Sequence, residues 1–300
     1  MKLALGPVLY YWTRDTLLDF YADVADSSVD IVYLGETVCS RRHQLRLQDW
    51  LEVAARLAVG GKQVVLSTQV LIESESDLKS LRAIADNGHF MVEANDMGAV
   101  HLLAGKMPFV GGPHLNIYNS RSLRFMADLG AVRWVMTPEM SAAMLAPIQT
   151  ERPAGMETEV LVYGRLPLAF SARCFTARAH NLPKDDCRFR CLDYPDGLAL
   201  RTREDQPFLV LNGIQTQSAR IYNLIGELAA LRSMEVDVLR ISPRIEHTSE
   251  IVSLFRDCLD QTCSVGSALQ QMEKFTSDGI CDGYWQGRAG LEQSVTANKP

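Results

Sequence analysis

The 300-residue chain is 47% hydrophobic and 22% charged, with a mean hydropathy of −0.03, ample material for a globular core of one large domain or two small ones. Its net charge of −6 and isoelectric point near 5.6 supply no basic field for a phosphate backbone, and no Lys/Arg run exceeds Arg41-Arg42, so nucleic acid is excluded as an expected partner. No apolar run approaches the roughly 20 residues that cross a bilayer, and Gly6-Pro7 breaks the N-terminal apolar stretch, so the first residues read as a strand and the expected location is the cytoplasm.

Short β-rich runs alternate with segments of helical period. "KLALGP" (2–7), "DIVYLGE" (30–36), "KQVVLST" (62–68), "FMVEAN" (90–95), "PFVGGP" (108–113) and "VRWVMT" (132–137) read as buried parallel strands. Between them, Leu17, Leu18, Tyr21 and Val24 share one helical face, as do Trp50, Leu51, Ala54, Ala55 and Leu57, and again Leu78, Leu81, Ile84 and Ala85. A seventh strand, 159–166, leads into a cysteine-rich insertion within 167–216, which ends in an expected hairpin over 207–216. A helix over 218–231, an eighth strand over 236–242, a helix over 246–260 and a frayed tail over 287–300 complete the reading. The strand-helix units predict an α/β fold of the TIM-barrel type, with residues 1–286 as a single domain and one elaborated loop after strand seven. A doubly wound sheet alternates in the same way, but no GxGxxG follows the first strand.

In such a barrel the loops after the strands open on one mouth. Glu36, Cys39, Ser67, Glu93, Asn95, His114, Asn116, Glu139, Tyr163, Arg165 and Arg240 all fall at or just past strand ends, and a mouth rich in carboxylates and arginines fits a polar, anionic small molecule. Each residue alone also has an ordinary structural role open to it, as a helix cap or a satisfied loop group. The chain has seven cysteines, and in a reducing compartment free thiols are explained by ligation or reactivity. Cys39 follows strand two, whereas Cys174-x12-Cys187-x3-Cys191 follows strand seven, so the topology brings all four to one rim. Four thiolates close either a tetrahedral zinc site or a cubane iron-sulfur cluster, and "CRFRC" without a metal is an ordinary charged loop. Cys258, Cys263 and Cys281 lie elsewhere; Cys258 sits beside Leu254 and Phe255, where a thiol acts as a small hydrophobe.

The stretches "LGPVLYYW", "YLGETVCSRR", "KQVVLST", "LNIYN", "YGRLPLAFSARCFTAR", "CRFRCLDYPDG" and "VLNGIQTQS" together resemble the peptidase U32 family, in its branch serving oxygen-independent ubiquinone biosynthesis, over nearly the whole chain. That resemblance implies a 4Fe-4S cluster with Cys39, Cys174, Cys187 and Cys191 as its metal ligands. It also implies an anaerobic role in hydroxylating an aromatic ring, as a heterodimer with the paralogue UbiU, with UbiT as lipid carrier and prephenate as oxygen donor. Arg41, Arg42, Arg165 and Arg240 are the candidates for holding such anions, since a guanidinium pairs with carboxylate through two parallel hydrogen bonds. Where collagenase-like members of the family carry a cysteine, this chain has Pro167, and no GxSxG or HExxH occurs, which argues against proteolysis. The catalytic residues stay unassigned. A non-catalytic cluster subunit and a zinc-stapled hydrolase are the competing readings. The apolar residues of 218–231 and 246–260 are candidates for a partner's docking face, with packing on the barrel itself as the equal alternative.

Overall fold

The computed structural model describes residues 1–276 and 278–293. Eight parallel strands among them close into a barrel: β1 (Lys2–Leu5), β2 (Ile31–Leu34), β3 (Gln63–Ser67), β4 (Met91–Ala94), β5 (Phe109–Gly111), β6 (Ala131–Val135), β7 (Glu157–Phe170) and, later in the chain, the strand Val238–Ile241. That last strand pairs Leu3 with Leu239 on one side and Val160 with Leu239 on the other, which completes the circle. The expected TIM-type barrel is therefore the observed fold. The helices α1 (Arg14–Ala25), α2 (Leu47–Val59), α3 (Glu75–Ala85), α4 (Met97–Leu103), α5 (Ser120–Asp128) and α6 (Ala142–Thr150) fill the connections. Several start on a side chain that satisfies an orphan amide: Thr13, Ser74, Asp96, Asn119 and Ser141 each accept from a backbone N–H of the first turn.

The strand period of two divides the core. Outward residues such as Leu3, Leu5, Val32, Leu34, Leu66 and Val92 join the helix faces in one large cluster, while Ala4, Ile31, Tyr33, Val65, Val110, Val135 and Val238 fill the barrel interior. Beyond β7 the chain adds α7 (Phe175–Ala179), β8 (Leu198–Arg201), β9 (Pro207–Asn212) and β10 (Gln215–Asn223). The upper half of β7 leaves the barrel to pair antiparallel with β10, which pairs with β9, which pairs with β8. The turn between β9 and β10 is Gly213-Ile214, with Gly213 at a φ of +64° that favours glycine. The remaining elements are α8 (Leu228–Ser233), β11 (Val238–Ile241), α9 (Thr248–Leu259), α10 (Val265–Met272) and β12 (Ile280–Cys281).

Four expectations change. The helix read over 218–231 is the second half of β10 followed by a short 3-10 turn and α8. Its apolar residues at spacings of three and four imitate a helix, but β10 is flanked by β7, β9 and β12, so Ile221 and Tyr222 are buried in succession. The expected docking face is not exposed either: Ile221, Leu224, Ile225, Leu228, Ile251, Leu254 and Phe255 are all buried in the chain's own core. Strand seven runs longer than 159–166 because it serves two sheets in turn. Of the expected tail, residues up to 293 are tied back, with the Glu292 carbonyl accepting from the amides of Asp282 and Gly283 and the Leu291 carbonyl from Arg220; residues 294–300 lie outside the described residues.

Candidate functional site

The β2–α2 loop carries Cys39, and its shape is set by Glu36, whose Oε1 accepts from the amides of Val38 at 3.0 Å and Cys39 at 3.1 Å. Cys174 stands at the start of α7, where its Sγ accepts from the Ala177 amide at 3.4 Å. Between Cys187 and Cys191 the chain reverses through two successive residues in the left-handed region, Arg188 and Phe189, both at a φ of +50°. Non-glycine residues seldom adopt this conformation, and the bend turns both ends of "CRFRC" toward the same space. Phe189 anchors the bend against Tyr11 with ring centroids 5.8 Å apart. Arg41 crosses from the Cys39 loop to donate to the Asp185 carbonyl at 2.7 Å.

The result is one pocket lined by Cys39, Cys174, Cys187 and Cys191, together with Arg41, Arg42, Thr176 and Phe189. Among the described residues no carboxylate or imidazole lines it. Burial pushes the Cys39 thiol up to about 11, with Arg42 opposing and Glu36 and Cys174 adding to the rise. Burial also raises Cys191, again against Arg42. A thiol ligates as the thiolate, so this pocket needs positive charge to bring its sulfurs into the ligating form. Arg42 is the fixed source: it is buried, it donates to the Leu9 carbonyl at 2.8 Å and to Asn212 Oδ1 at 2.7 Å, and it pairs with Glu36 at 3.6 Å. Gly213 makes room for it, since a Cβ there would stand 2.9 Å from Arg42 Nη2. Among the described residues no three His, Cys, Asp or Glu side chains form a group that could hold a metal ion as they stand. In kind and number the four thiols match the external ligands that a cubane cluster takes.

A second pocket opens at the barrel mouth, lined by Leu9, Thr37, Glu93, Asn95, His114, Arg165, Pro167 and Arg240 among others. Leu9 joins the two pockets, because its carbonyl accepts from Arg42 and Asn212 while its side chain lines the mouth. Among the described residues Thr37 Oγ1, Asn95 Oδ1 and Arg165 Nε are buried without a hydrogen-bond partner, and all three residues line this small void of about 40 Å³.

Below the mouth the barrel axis is filled by charge. Arg240 Nε donates to Glu159 Oε1 at 2.5 Å, Arg240 Nη2 lies 2.8 Å from Glu93, and the guanidinium sits 4.0 Å over the Tyr33 ring. Tyr33 donates to Glu159 Oε2 at 2.5 Å, and Arg133 donates to Tyr33 and to Glu157. Ser67 and Asn95 complete the shell by donating to Glu93 Oε2 at 2.7 and 3.3 Å. Arg240 is held well above its ordinary value by Glu159 and Glu93 against the cost of burial, so it is permanently charged.

The sequence-predicted residues thus divide. Glu93, Asn95, His114, Arg165 and Arg240 share the mouth, with Ser67 bonded to Glu93, while Glu36, Arg41 and Arg42 belong to the cysteine side. Tyr163 sits away from the mouth, edge-on to Phe255 in a small pocket with Arg244. Asn116 is exposed in a left-handed turn, and Glu139 accepts from Tyr118 at the surface. All four candidate arginines already have partners: Arg165 donates to the Ser218 and Ala219 carbonyls and to Asp278. Tyr33, Arg133 and Glu159 were not anticipated. Their signal was parity, since Arg133, Glu157 and Glu159 occupy alternate positions that the apolar period of neighbouring strands assigns to the interior.

His114 gives this mouth a pH signature. Burial drives its ring down from 6.5 to about 4, against Glu93 and with help from Arg240. A histidine held neutral in the fold contributes stability that is present above 6.5 and lost as the pH falls toward 4. The midpoint of urea unfolding should therefore fall more steeply across that interval in the wild type than in His114→Gln; parallel profiles would show that the ring is not shielded.

The family model for peptidase family U32 matches residues 17–294 of the chain. Two curated relatives, each named tRNA hydroxylation protein P and found in Helicobacter pylori strains J99 and 26695, are 25% identical over 205 residues, which is 62% of this chain and 47% of the relative. The chain spans about half the length of these relatives. Among solved structures, the U32 peptidase Mk0906 superposes with a TM-score of 0.46 at 13% identity, covering 81% of this chain and 93% of that one. With a barrel whose β7 extends into a cysteine-bearing insertion, and with a family match that runs through nearly every element of it, the chain belongs to peptidase family U32.

Proposed function

We propose that the chain is an iron-sulfur subunit of an oxygen-independent hydroxylase, a UbiV-type member of the family that works with UbiU in anaerobic ubiquinone biosynthesis. One observation carries the reading: four cysteines from two distant loops line a single pocket that, among the described residues, offers no other ligating side chain. The curated relatives named for tRNA hydroxylation support a hydroxylation-related role. An aromatic ring suits this chain better than RNA because its net charge is −6. Cys39, Cys174, Cys187 and Cys191 hold a 4Fe-4S cluster, which when bound supplies a one-electron redox centre. Arg42 keeps a fixed positive charge beside the thiolates, and Arg41 closes the pocket from the Asp185 side. An anionic oxygen donor of the prephenate type is received at Arg165 and Arg240, where Arg165 Nε, Asn95 Oδ1 and Thr37 Oγ1 offer unmatched polar atoms.

A second reading, a non-catalytic cluster subunit that supports UbiU and passes electrons to it, is favoured by the mouth's small volume. About 40 Å³ is well below the roughly 150 Å³ cavity that accepts a benzene ring. Anaerobic co-expression of tagged chain with UbiU and the lipid carrier UbiT tests both. Equal stoichiometry with UbiU and ring hydroxylation only by the pair are expected. A chain that elutes as a monomer beside UbiU and hydroxylates unaided overturns the heterodimer, and hydroxylation by UbiU alone overturns the enzymatic role.

A further inference from the structure

Three arginines line the cysteine pocket, Arg41, Arg42 and Arg190, and water reaches them unequally. The Arg41 side chain is 37% exposed and lies 3.6 Å from Asp185, and that of Arg190 is 42% exposed and pairs with Asp193 at 3.0 Å. Solvent screens both charges. The Arg42 side chain is 1% exposed, so its charge acts on its neighbours through protein alone. It is also fixed in place. Nη1 donates to the Leu9 carbonyl and Nη2 to Asn212 Oδ1, and the guanidinium stands 5.5 Å from the centre of the Tyr11 ring. Tyr11 in turn packs on Phe189, inside the bend that joins Cys187 to Cys191.

With Nη1 and Nη2 committed to Leu9 and Asn212, Arg42 has no free fork for a carboxylate substrate. Its Nε is buried and, among the described residues, has no hydrogen-bond partner. Burial raises the Cys39 and Cys191 thiols, and Arg42 opposes the rise at both, so its field reaches the two loops that supply the cysteines. Glu36, its ion-pair partner at 3.6 Å, is not among the pocket's lining residues, and Glu36 Oε1 is shared with the amides of Val38 and Cys39. The cation therefore borders the sulfurs and the carboxylate does not. Resting on the cluster reading above, we propose that Arg42 sets the reduction potential of the cysteine pocket's cluster, its buried charge favouring the reduced form. Reduction brings one electron, supplied by a low-potential reductant, and one negative charge into the pocket, with no bond made or broken. A guanidinium stays charged throughout, so the bias is permanent. Glu36 acts with the opposite sign.

The test is a redox titration of full-length, anaerobically purified protein with dithionite and mediator dyes, the reduced fraction being read from visible absorbance and electron paramagnetic resonance. Arg42→Gln should lower the ratio of reduced to oxidised protein at a given potential about tenfold, a shift of about 59 mV to the negative for a one-electron centre. Arg42→Lys, which keeps the charge, should retain most of the wild-type potential. Glu36→Gln keeps an oxygen for the Val38 and Cys39 amides but removes the carboxylate charge, and should shift the potential to the positive. Arg41→Gln, at an exposed side chain, should change the ratio by less than about twofold. Loosening of the pocket alone would move Arg42→Gln and Glu36→Gln in the same direction. Iron-loaded variants that both keep the wild-type potential, or that shift it with the same sign, overturn the proposal. Should Arg42→Gln misfold, Glu36→Gln decides by its own shift, and an unmoved or more negative potential there counts against the proposal. Iron and sulfide are measured in every preparation. Wild-type protein without iron sinks the cluster reading and this proposal with it, whereas full iron with an unmoved potential sinks this proposal alone.

Discussion

Replacing any one of Cys39, Cys174, Cys187 or Cys191 by Ala is expected to strip the anaerobically purified protein of its brown colour and of its iron, from about four irons and four sulfides per chain to nearly none. Each iron of a cubane takes one external ligand, and among the described residues the pocket has no His, Asp or Glu to replace a lost thiolate. Cys258→Ala and Cys281→Ala should keep the full complement: Cys258 packs on the core from α9 and Cys281 is buried on β12, both outside the pocket. Air should bleach the wild type without unfolding it. The barrel buries its own apolar surface, whereas the insertion holds Cys174, Cys187 and Cys191 on a short helix and 3-10 turns whose described residues are largely exposed or half-buried. Far-ultraviolet dichroism of bleached protein therefore retains most of its helical signal. Colourless anaerobic protein with one zinc per chain, or iron retained after loss of a pocket cysteine, would sink the assignment.

Those cysteines were legible because topology does most of the work of assembling them. Once β2 and β7 run parallel in one closed barrel, residues after their C-terminal ends share a rim whatever their separation in sequence. The barrel strands were readable for the same kind of reason, since each carries a run of β-branched and apolar residues between turn signals. The insertion was harder. β8, with the sequence LALR, has one half-buried residue and three exposed ones, and only its pairing with β9 makes it a strand. The segment 218–231 misled because a strand covered on both sides loses the alternation that distinguishes it from a helix.

The largest effect on stability is expected from Arg240→Leu. In the wild type this guanidinium lies between Glu159 and Glu93 at the centre of the barrel, with all three side chains almost wholly excluded from water. Removing one partner of a buried ionic group leaves the rest uncompensated, and such losses amount to about 3–5 kcal/mol. Here two carboxylates lose their cation together. Glu159 retains Arg133 only at 3.8 Å, Glu93 retains the neutral donors Ser67 and Asn95, and Tyr33 loses the cation over its ring. Urea unfolding of Arg240→Leu should fall at or above the upper end of that range, while Arg41→Ala, whose partner Asp185 is exposed, should change stability by less than about 1 kcal/mol. Arg240→Leu with Glu159→Leu should not restore the wild-type value, because Arg133 and Tyr33 lose their shared acceptor in turn. A loss below about 1 kcal/mol in Arg240→Leu, or full recovery in the double variant, would show that the interior charges are pairwise and dispensable, not one network. The consequence reaches the mouth as well: Glu93 accepts from Ser67 and Asn95, so loosening Arg240 should also loosen the polar lining of the mouth void.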